Sequence, residues 1–170
     1  MTVDDLNDLP LGLARIVLER CCGAKVWLER VCAGRPYLNR KRFLAASERA
    51  WRRLGPEDWR EAFAHHPRIG DLASLRRRYA ATAAWAGEEQ RGAAHASEAA
   101  LAALAEGNRA YEEKFGYIFI VCATGKSAEE MLALLEARLE NEPDVELKIA
   151  AEEQMKITRL RLEKLLSDSP

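Results

Sequence analysis

The chain has 170 residues, 48% of them hydrophobic and 31% charged, a composition typical of a globular domain, here residues 1–170, with a sizeable core. With 26 basic and 27 acidic side chains its net charge is −1, so no overall field favours nucleic acid or anionic lipid as a partner. No apolar run reaches the ~20 residues of a membrane span, and the acidic start Met1–Asp5 does not read as a signal peptide. We therefore expect a cytoplasmic protein that binds neither nucleic acid nor membrane.

The cysteines give no sign of a metal or redox centre. There are four of them, and their spacing contains no Cys-x-x-Cys pair: Cys21, Cys22, Cys32 and Cys122. We expect reduced, mostly buried thiols and no metal site.

Helical periodicity dominates the N-terminal part of the chain. Apolar residues recur every three or four positions over 9–22, which predicts an amphipathic helix with a stripe formed by Leu9, Leu13, Ile16, Val17 and Cys21. Gly23 interrupts this pattern, and a second helical segment continues to Gly34. The sequence therefore starts with two helices.

A third and a fourth helix follow the turn at Arg35-Pro36-Tyr37. Asn39 is placed to cap the third helix. Its predicted buried side is formed by Phe43, Leu44, Ser47, Ala50, Trp51 and Leu54. Gly55 and Pro56 end that helix and begin a shorter one over 57–64.

The helix over 57–64 leads into the sequence His65-His66-Pro67-Arg68-Ile69-Gly70. Pro67 pushes His66 away from helical dihedrals, and Gly70 lets the chain turn. Histidine is suited to acid/base chemistry near neutral pH, although a plain helix stop would use the same residues. His65 lies one residue earlier and leaves the helix in another direction, so we expect it to be structural.

A helix is predicted over 72–85, and it includes the basic run Arg76–Arg78 beside Tyr79. Such a run suits a phosphate or an RNA base and would fit a non-catalytic helical interaction module. The alternative is a solvated helix face whose charge is balanced by Glu88, Glu89 and other acidic residues.

The next helix is predicted over 88–115 and ends at Gly116. The segment 117–122 is the one β-prone stretch of the sequence, and it has no obvious strand partner. Its backbone groups must find partners in a ligand or in packing between helices. Ser127 and Glu130 then form a capping box that starts another helix.

The last helix is predicted over 145–166, which completes about seven or eight packed helices in one all-α domain. Arg161 lies on its apolar stripe, whereas Arg159 points away. A guanidinium on an apolar face needs an anionic or carbonyl partner. An internal salt bridge with Glu146 or Glu153 and a ligand-binding role both stay open for Arg161.

Several short motifs follow one another at compatible spacing over nearly the whole chain: His66-Pro67-Arg68-Ile69-Gly70, Glu89-Gln90-Arg91-Gly92-Ala93, Asn108-x-x-Tyr111-x-x-Lys114-Phe115-Gly116-Tyr117-x-Phe119, Arg138-Leu139-x-Asn141, Glu146-Leu147 and Ile157-x-x-x-Arg161-Leu162. With them the chain resembles the family of 2-oxo-4-hydroxy-4-carboxy-5-ureidoimidazoline (OHCU) decarboxylases of urate breakdown. The resemblance implies an all-helical homodimer that converts OHCU to S-allantoin with loss of CO2, without metal or organic cofactor.

The resemblance also implies roles for particular residues. Catalytic roles fall on His66, Glu89 and Arg161, and substrate contacts on Pro67, Gln90 and the backbone from Phe119 to Val121. Binding the departing carboxylate would stabilise the ground state, so we expect Arg161 to meet a ring or ureido oxygen instead. Relatives often have a serine three residues before the glutamate, where this chain has Ala86, so we expect one substrate hydrogen bond to be missing or to be supplied by water or by Thr82.

Overall fold

The computed structural model describes residues 1–66, 73–77 and 91–166, with side chains of the third range described from residue 98. Eight helices have both of their bounds within these ranges: α1 (Val3–Asp8), α2 (Leu11–Glu19), α3 (Lys25–Ala33), α4 (Arg40–Arg52), α5 (Pro56–Ala64), α6 (Arg91–Phe115), α7 (Ala128–Leu139) and α8 (Pro143–Leu165). Residues 73–77 are helical as well, and the described residues contain no strand. The all-α prediction is confirmed. In the part of the chain described, none of these helices combines the length and apolar character needed to cross a bilayer.

The chain divides into two compact units. The first comprises Met1–His66, Ile120–Cys122 and Ile149–Pro170, and the second comprises Pro67–Phe119 and Ala123–Lys148. Helix α8 therefore begins in the second unit and continues in the first. The single domain over 1–170 stays a prediction.

Two tryptophans tie the helices of the first unit together. Trp27 of α3 is fully buried, and its indole N–H donates to the carbonyl of Ser47 in α4 (3.1 Å). Trp51 of α4 donates in the same way to the carbonyl of Ala151 in α8 (3.0 Å). Each indole thus buries a large apolar surface while its polar atom keeps a partner.

The predicted third helix is confirmed as α4. The Asn39 side chain accepts a hydrogen bond from the Arg42 N–H (3.0 Å), which satisfies one of the free donors at the helix start. Of its predicted inner face, all but the half-buried Leu44 is buried: Phe43, Ser47, Ala50, Trp51 and Leu54.

The single helix predicted over 9–22 is shorter in the structure and follows an additional helix, α1. Thr2 and Asp5 form a capping box at the start of α1. The Arg35 guanidinium donates to the carbonyls of Leu6 (2.8 Å) and Leu9 (2.7 Å) at its end. Helix α1 is therefore satisfied at both ends, which explains how six residues remain helical.

Helix α2 also faces the core differently from the prediction. Ala14 and Leu18 are fully buried, whereas Leu13 and Ile16 of the predicted stripe are 50% and 52% exposed. A fully buried alanine allows close packing around α2, and a larger side chain at this position would need space that a close-packed core does not offer.

In the second unit, α6 and α7 lie close together. A Cβ at Gly107 of α6 would lie 2.6 Å from Cδ2 of Leu135 in α7, so glycine allows this close packing. The predicted end of α6 is confirmed, because Gly116 has φ +78. The capping box of Ser127 and Glu130 at the start of α7 is confirmed too.

The predicted basic run is only partly described. Arg76 forms an ion pair with Glu98 of α6, and Arg77 donates to the Ser74 hydroxyl (2.9 Å). Arg78 lies outside the described residues. The pairing of Arg76 favours the solvated helix face over an interaction surface.

A buried charged group connects three helices in the second unit, and we call it the glutamate cluster: Tyr111, Arg138, Asn141 and Glu146. Glu146 is fully buried and Arg138 is 7% exposed. Arg138 Nε donates to one Glu146 oxygen (2.7 Å), and Asn141 donates to the other (2.8 Å). Tyr111 donates its hydroxyl hydrogen to the same oxygen as Arg138. Both carboxylate oxygens are therefore satisfied, as a buried charge requires.

Candidate active site

Helix α5 ends just before the two histidines. Phe63, 1% exposed, anchors its last turn in the core. The backbone N–H groups of His65 and His66 donate to the carbonyls of Ala62 (3.2 Å) and Phe63 (3.1 Å). These short-range hydrogen bonds tighten the helix end and fix the direction in which His66 leaves it.

His65 and Glu61 connect this helix end to the start of α3. The Glu61 carboxylate accepts a hydrogen bond from the Lys25 N–H (2.9 Å), so it caps α3. The Nδ1–H of His65 donates to the Glu61 carbonyl (2.9 Å). The His65 ring lies so close to Gly23 that any Cβ at position 23 would collide with it. These contacts agree with the structural role expected for His65.

His66 belongs to a second polar group, which we call the histidine network: His66, Gln154 and Thr158. Nε2 of His66 lies 2.5 Å from Oε1 of Gln154 in α8. The Gln154 amide nitrogen donates to the Thr158 hydroxyl oxygen one turn further along (3.1 Å). Gln154 is fully buried and Thr158 is 4% exposed. The imidazole is therefore held from one side by side chains that water does not reach.

The surroundings of His66 favour its neutral form. Burial lowers the pKa of His66 below its ordinary value of 6.5, and the positive charges of Arg161 and His65 lower it further. The hydrogen bond to Gln154 acts in the opposite direction and is the weaker effect. At neutral pH the imidazole is therefore uncharged and able to accept a proton.

Arg161 lies two turns after Gln154 on α8, so the two side chains leave the same side of the helix. Its guanidinium donates to the carbonyl of Cys21 (3.4 Å), which supplies the carbonyl partner expected from the sequence. The two alternative partners are engaged elsewhere: Glu146 with Arg138, and Glu153 with Lys156. Among the described residues this long hydrogen bond is the one that the Arg161 side chain makes, and it uses little of the donor capacity of a guanidinium.

The thiols beside Arg161 are protonated. Burial is the main cause that raises the pKa of both Cys21 and Cys22 to about 11, with Arg161 acting in the opposite direction on each. Cys21, Cys22 and Cys32 are buried and all four cysteines are free. The prediction of unpaired, mostly buried thiols agrees with this arrangement.

The β-prone segment forms neither helix nor strand over residues 118–123. In the first unit, Val121 is half-buried, and the Cys122 N–H donates to the Glu153 carboxylate of α8 (2.7 Å). One of the segment's backbone donors is thus satisfied by a side chain, which is the packing solution that the sequence left open.

Phe119, in the second unit, packs on the glutamate cluster. Its ring centroid lies 4.7 Å from Arg138 Cζ and 5.1 Å from the Tyr111 ring in an edge-to-face arrangement. These cation–π and aromatic contacts stabilise the Phe119 ring against the cluster.

The chain is similar to known proteins over nearly its whole length. The profile of the OHCU decarboxylase family matches residues 7–163. The chain belongs to the OHCU decarboxylase family. It is 36% identical over 155 residues to the 2-oxo-4-hydroxy-4-carboxy-5-ureidoimidazoline decarboxylase of Amia calva, covering 88% of this chain and 83% of that protein.

A second relative is the uric acid degradation bifunctional protein TTL of Arabidopsis thaliana, 40% identical over 148 residues. The match covers 87% of this chain but 46% of the plant protein, so the chain spans about half the length of that relative. It therefore corresponds to one part of a longer protein in the plant.

Two solved structures are similar to this OHCU decarboxylase family member. An OHCU decarboxylase crystallised in the presence of (S)-allantoin superposes with a TM-score of 0.70 and 38% identity, covering 88% of this chain and 96% of that chain. A crystal structure of (S)-allantoin synthase gives a TM-score of 0.68 at 19% identity, covering 96% and 54% respectively. The second likeness concerns the fold alone.

The structure places part of the predicted site of this family member. His66, Val121 and Arg161 belong to the first unit, and Phe119 belongs to the second. Three predicted site residues lie outside the described residues: Pro67, Glu89 and Gln90. So do Thr82 and Ala86. Among the residues that are described, no group of histidine, cysteine, aspartate or glutamate side chains is arranged to hold a metal ion.

Sequence reasoning missed Gln154. Its signal was present, because Gln154, Thr158 and Leu162 follow one another four residues apart on α8, a line that the structure buries. An amide at such a position needs a hydrogen-bond partner. Its partner, His66, is 88 residues away in the sequence.

Proposed function

We propose that this chain catalyses the decarboxylation of OHCU to S-allantoin in urate breakdown, with His66 as the acid/base. One observation supports this role above the others. Nε2 of His66 is engaged by Gln154, whereas Nδ1 has no hydrogen-bond partner among the described residues. A neutral imidazole with one held and one open nitrogen, in a member of this family, is suited to move a proton on a bound substrate.

The chemistry needs a proton transfer but no electron-accepting cofactor. In OHCU, carbon 4 bears the hydroxyl and carboxylate groups, and carbon 5 bears the ureido group and a double bond to a ring nitrogen. When the bond to CO2 breaks, its electron pair forms a double bond between carbons 4 and 5. The imine pair moves to the nitrogen, which takes a proton. The product of this step is an enol.

The enol becomes allantoin when the hydroxyl loses its proton and carbon 5 gains one. Neutral His66 is able to accept the hydroxyl proton, and the resulting imidazolium is able to donate a proton to carbon 5. Delivery to one face of the ring would give the S product. The lowered pKa of His66 suits this sequence, since the resting imidazole must be uncharged.

The remaining predicted residues would bind the substrate and stabilise charge. The guanidinium of Arg161 would bind a ring or ureido oxygen where negative charge grows. The family resemblance implies a substrate-binding role for the backbone from Phe119 to Val121 as well. Glu89 would orient the imidazole or hold the substrate, and Pro67 and Gln90 would line the pocket. No metal or organic cofactor takes part in this proposal.

The test generates OHCU in place from urate and follows its decay by ultraviolet absorbance and the formation of allantoin by circular dichroism. The proposal requires that the protein accelerate the decay and yield optically active allantoin. If neither happens, the proposed reaction is wrong. If His66→Ala keeps near-normal turnover, the reaction stands and the assignment of His66 is wrong.

We also propose a cytoplasmic homodimer. Three apolar side chains on α2 support association of two copies, since they are at least half exposed: Leu11, Leu13 and Ile16. Contiguous apolar side chains of this kind often mark an interface. Light scattering of the wild type should give the mass of a dimer, and Leu13→Lys should give that of a monomer if α2 forms the interface. A monomeric wild-type protein would exclude the homodimer.

A further inference from the structure

We propose that Gln154 is a positioning residue that keeps His66 as the Nε2–H tautomer, with Thr158 setting the orientation of the Gln154 amide. His66 would then present the lone pair of Nδ1 to the substrate. The effect on turnover rests on the proposed function of His66, whereas the tautomer is a property of the resting protein.

The hydrogen bond between Gln154 and His66 defines the tautomer of the imidazole. The atom of Gln154 that faces Nε2 is the carbonyl oxygen Oε1, at 2.5 Å. A carbonyl oxygen only accepts hydrogen bonds. Nε2 must therefore have its hydrogen, and in the neutral ring the lone pair is left on Nδ1.

The Thr158 hydroxyl holds the Gln154 amide in its orientation. A rotated Gln154 would present its NH2 group to His66 and would favour the opposite tautomer. In the structure that NH2 group donates to the Thr158 hydroxyl oxygen (3.1 Å). For this bond the Thr158 hydroxyl must direct its own hydrogen elsewhere.

The Cys22 thiol is within hydrogen-bonding reach of the Thr158 side chain, so the hydroxyl has a second polar neighbour besides Gln154. Within the network, Gln154 accepts from His66 and donates to Thr158. The hydrogens of His66 and Gln154 therefore point in one direction along the line His66, Gln154, Thr158.

Burial couples the orientation of the amide to the tautomer of His66. Gln154 is fully buried and Thr158 is 4% exposed, so water is not at hand to satisfy a partly reversed network. A rotated amide keeps its partners only if the Thr158 hydroxyl becomes the donor and His66 changes to the Nδ1–H tautomer at the same time, since a buried donor without a partner costs about 1–3 kcal/mol. The charged groups that act on His66 from the described residues are Arg161 on α8 and His65 on α5, and neither distinguishes between the two neutral tautomers by hydrogen bonding.

The first experiment compares two variants of Thr158 that differ in whether the hydroxyl is kept. Thr158→Val removes the hydroxyl and keeps the shape, whereas Thr158→Ser keeps the hydroxyl. Nitrogen-15 spectra of histidine side chains distinguish a protonated ring nitrogen from one with a lone pair. We expect Nε2–H for His66 in the wild type and in Thr158→Ser, and a mixture of tautomers in Thr158→Val.

Turnover of OHCU should follow the tautomer. We expect Thr158→Val to lower kcat by about 10- to 100-fold, a part of the about 10²- to 10⁴-fold that a positioned acid/base contributes, with little change in KM. Thr158→Ser should stay within about threefold of the wild type. A merely structural role of Thr158 would lower stability in Thr158→Val without changing the histidine spectrum.

A second pair of variants tests Gln154 by the sign of a pH shift. Gln154→Glu places a carboxylate beside Nε2, which favours the imidazolium, so the acid limb of the pH–kcat/KM profile should move to higher pH. Gln154→Leu removes the hydrogen bond that favours the charged ring, so the limb should move to lower pH. Shifts in the same direction for both variants would contradict the proposal.

The outcomes separate this inference from the proposed function. An Nδ1–H tautomer in the wild type, or an unchanged spectrum in Thr158→Val, overturns the inference even if OHCU is the substrate. An Nε2–H tautomer that becomes mixed in Thr158→Val supports it, even if the protein does not act on OHCU. In that case only the proposed function fails.

Discussion

The glutamate cluster and the histidine network are both buried polar groups, and α8 contributes a residue to each, Glu146 to one and Gln154 to the other. They differ in how completely they are satisfied. Both oxygens of Glu146 have partners inside the protein. In the histidine network, one nitrogen of His66 is held, and Nδ1 has no partner in the described part of the chain.

The difference shows what each group does. A fully satisfied buried network leaves nothing for a ligand, so its residues act on stability and on the position of their neighbours. Phe119, which packs against Arg138, is the neighbour positioned here. A network with one open nitrogen costs some stability and provides a group for chemistry. His66 and Arg138 both belong to the motifs of the sequence. Their surroundings differ, and they indicate a role in chemistry for His66 and a role in stability for Arg138.

The comparison predicts first that His66→Asn removes activity and spares the fold. Turnover of OHCU should fall by about 10²- to 10⁴-fold, the usual contribution of a positioned acid/base. Because the variant leaves no charge buried, Tm should change by no more than about 4 °C, which corresponds to roughly 1 kcal/mol for a chain of this size. Coupled OHCU decay and thermal unfolding measure the two effects. A variant that unfolds instead would show that His66 is required for stability, as the residues of the glutamate cluster are.

The second prediction is the converse, for the glutamate cluster. Arg138→Met leaves the Glu146 carboxylate buried without its cation and should destabilise the protein by about 3–5 kcal/mol. The double variant Arg138→Met, Glu146→Gln removes the uncompensated charge and should recover part of that loss. Urea unfolding of the three proteins measures it. Equal stabilities of the single and the double variant would show that the ion pair is not the source of the effect.

The third prediction distinguishes charge from hydrogen bonding at Arg161. Arg161→Met should lower kcat/KM by about 10- to 100-fold, since a hydrogen bond to a charged group contributes about 1.5–3 kcal/mol. It should also raise the pKa of His66, because the Arg161 charge lowers it. Arg161→Lys retains the charge without the planar donors, so it should lose activity while the acid limb of the profile stays in place.

The smallest predicted effect is that of pH on the wild type. The folded pKa of His66 lies below 6.5, so the acid limb of kcat/KM should lie below pH 6.5. As pH falls through 6.5, His66 of the unfolded chain takes up a proton before His66 of the folded protein does. The free energy of unfolding therefore decreases over this interval. His66→Asn should lose less stability over the same interval. An acid limb above pH 6.5 would contradict the lowered pKa.

Local features of this fold were predictable from the sequence. The caps of α4 and α7, the glycine that ends α6 and the inner face of α4 depend on residues within a few positions of one another, and all are confirmed. Such features follow from backbone hydrogen bonding and helical periodicity, which neighbouring residues determine.

The most deeply buried lines of α2 and α8 lie one residue away from the apolar stripes of the sequence, and the two helices differ in the cause. On α2 the structure buries Ala14 and Leu18 instead of Leu13 and Ile16. On α8 it buries Gln154 and Thr158 more deeply than Ile157 and Arg161. Prediction favoured large apolar side chains, but close helix packing favours small ones, and a polar side chain is buried where a distant partner satisfies it. Those partners are not visible in a single sequence.

The adjacent cysteines have a consequence for redox chemistry. Cys21 supplies the carbonyl that holds Arg161, and the Cys22 thiol is within hydrogen-bonding reach of Thr158, so both lie beside residues of the proposed site. With a pKa of about 11 they contain almost no thiolate at neutral pH, and thiolate is the form that peroxides and alkylating reagents attack. The two thiols next to the proposed site should therefore react slowly with oxidants. We expect the geometry of the site to persist under conditions that inactivate enzymes with reactive thiols.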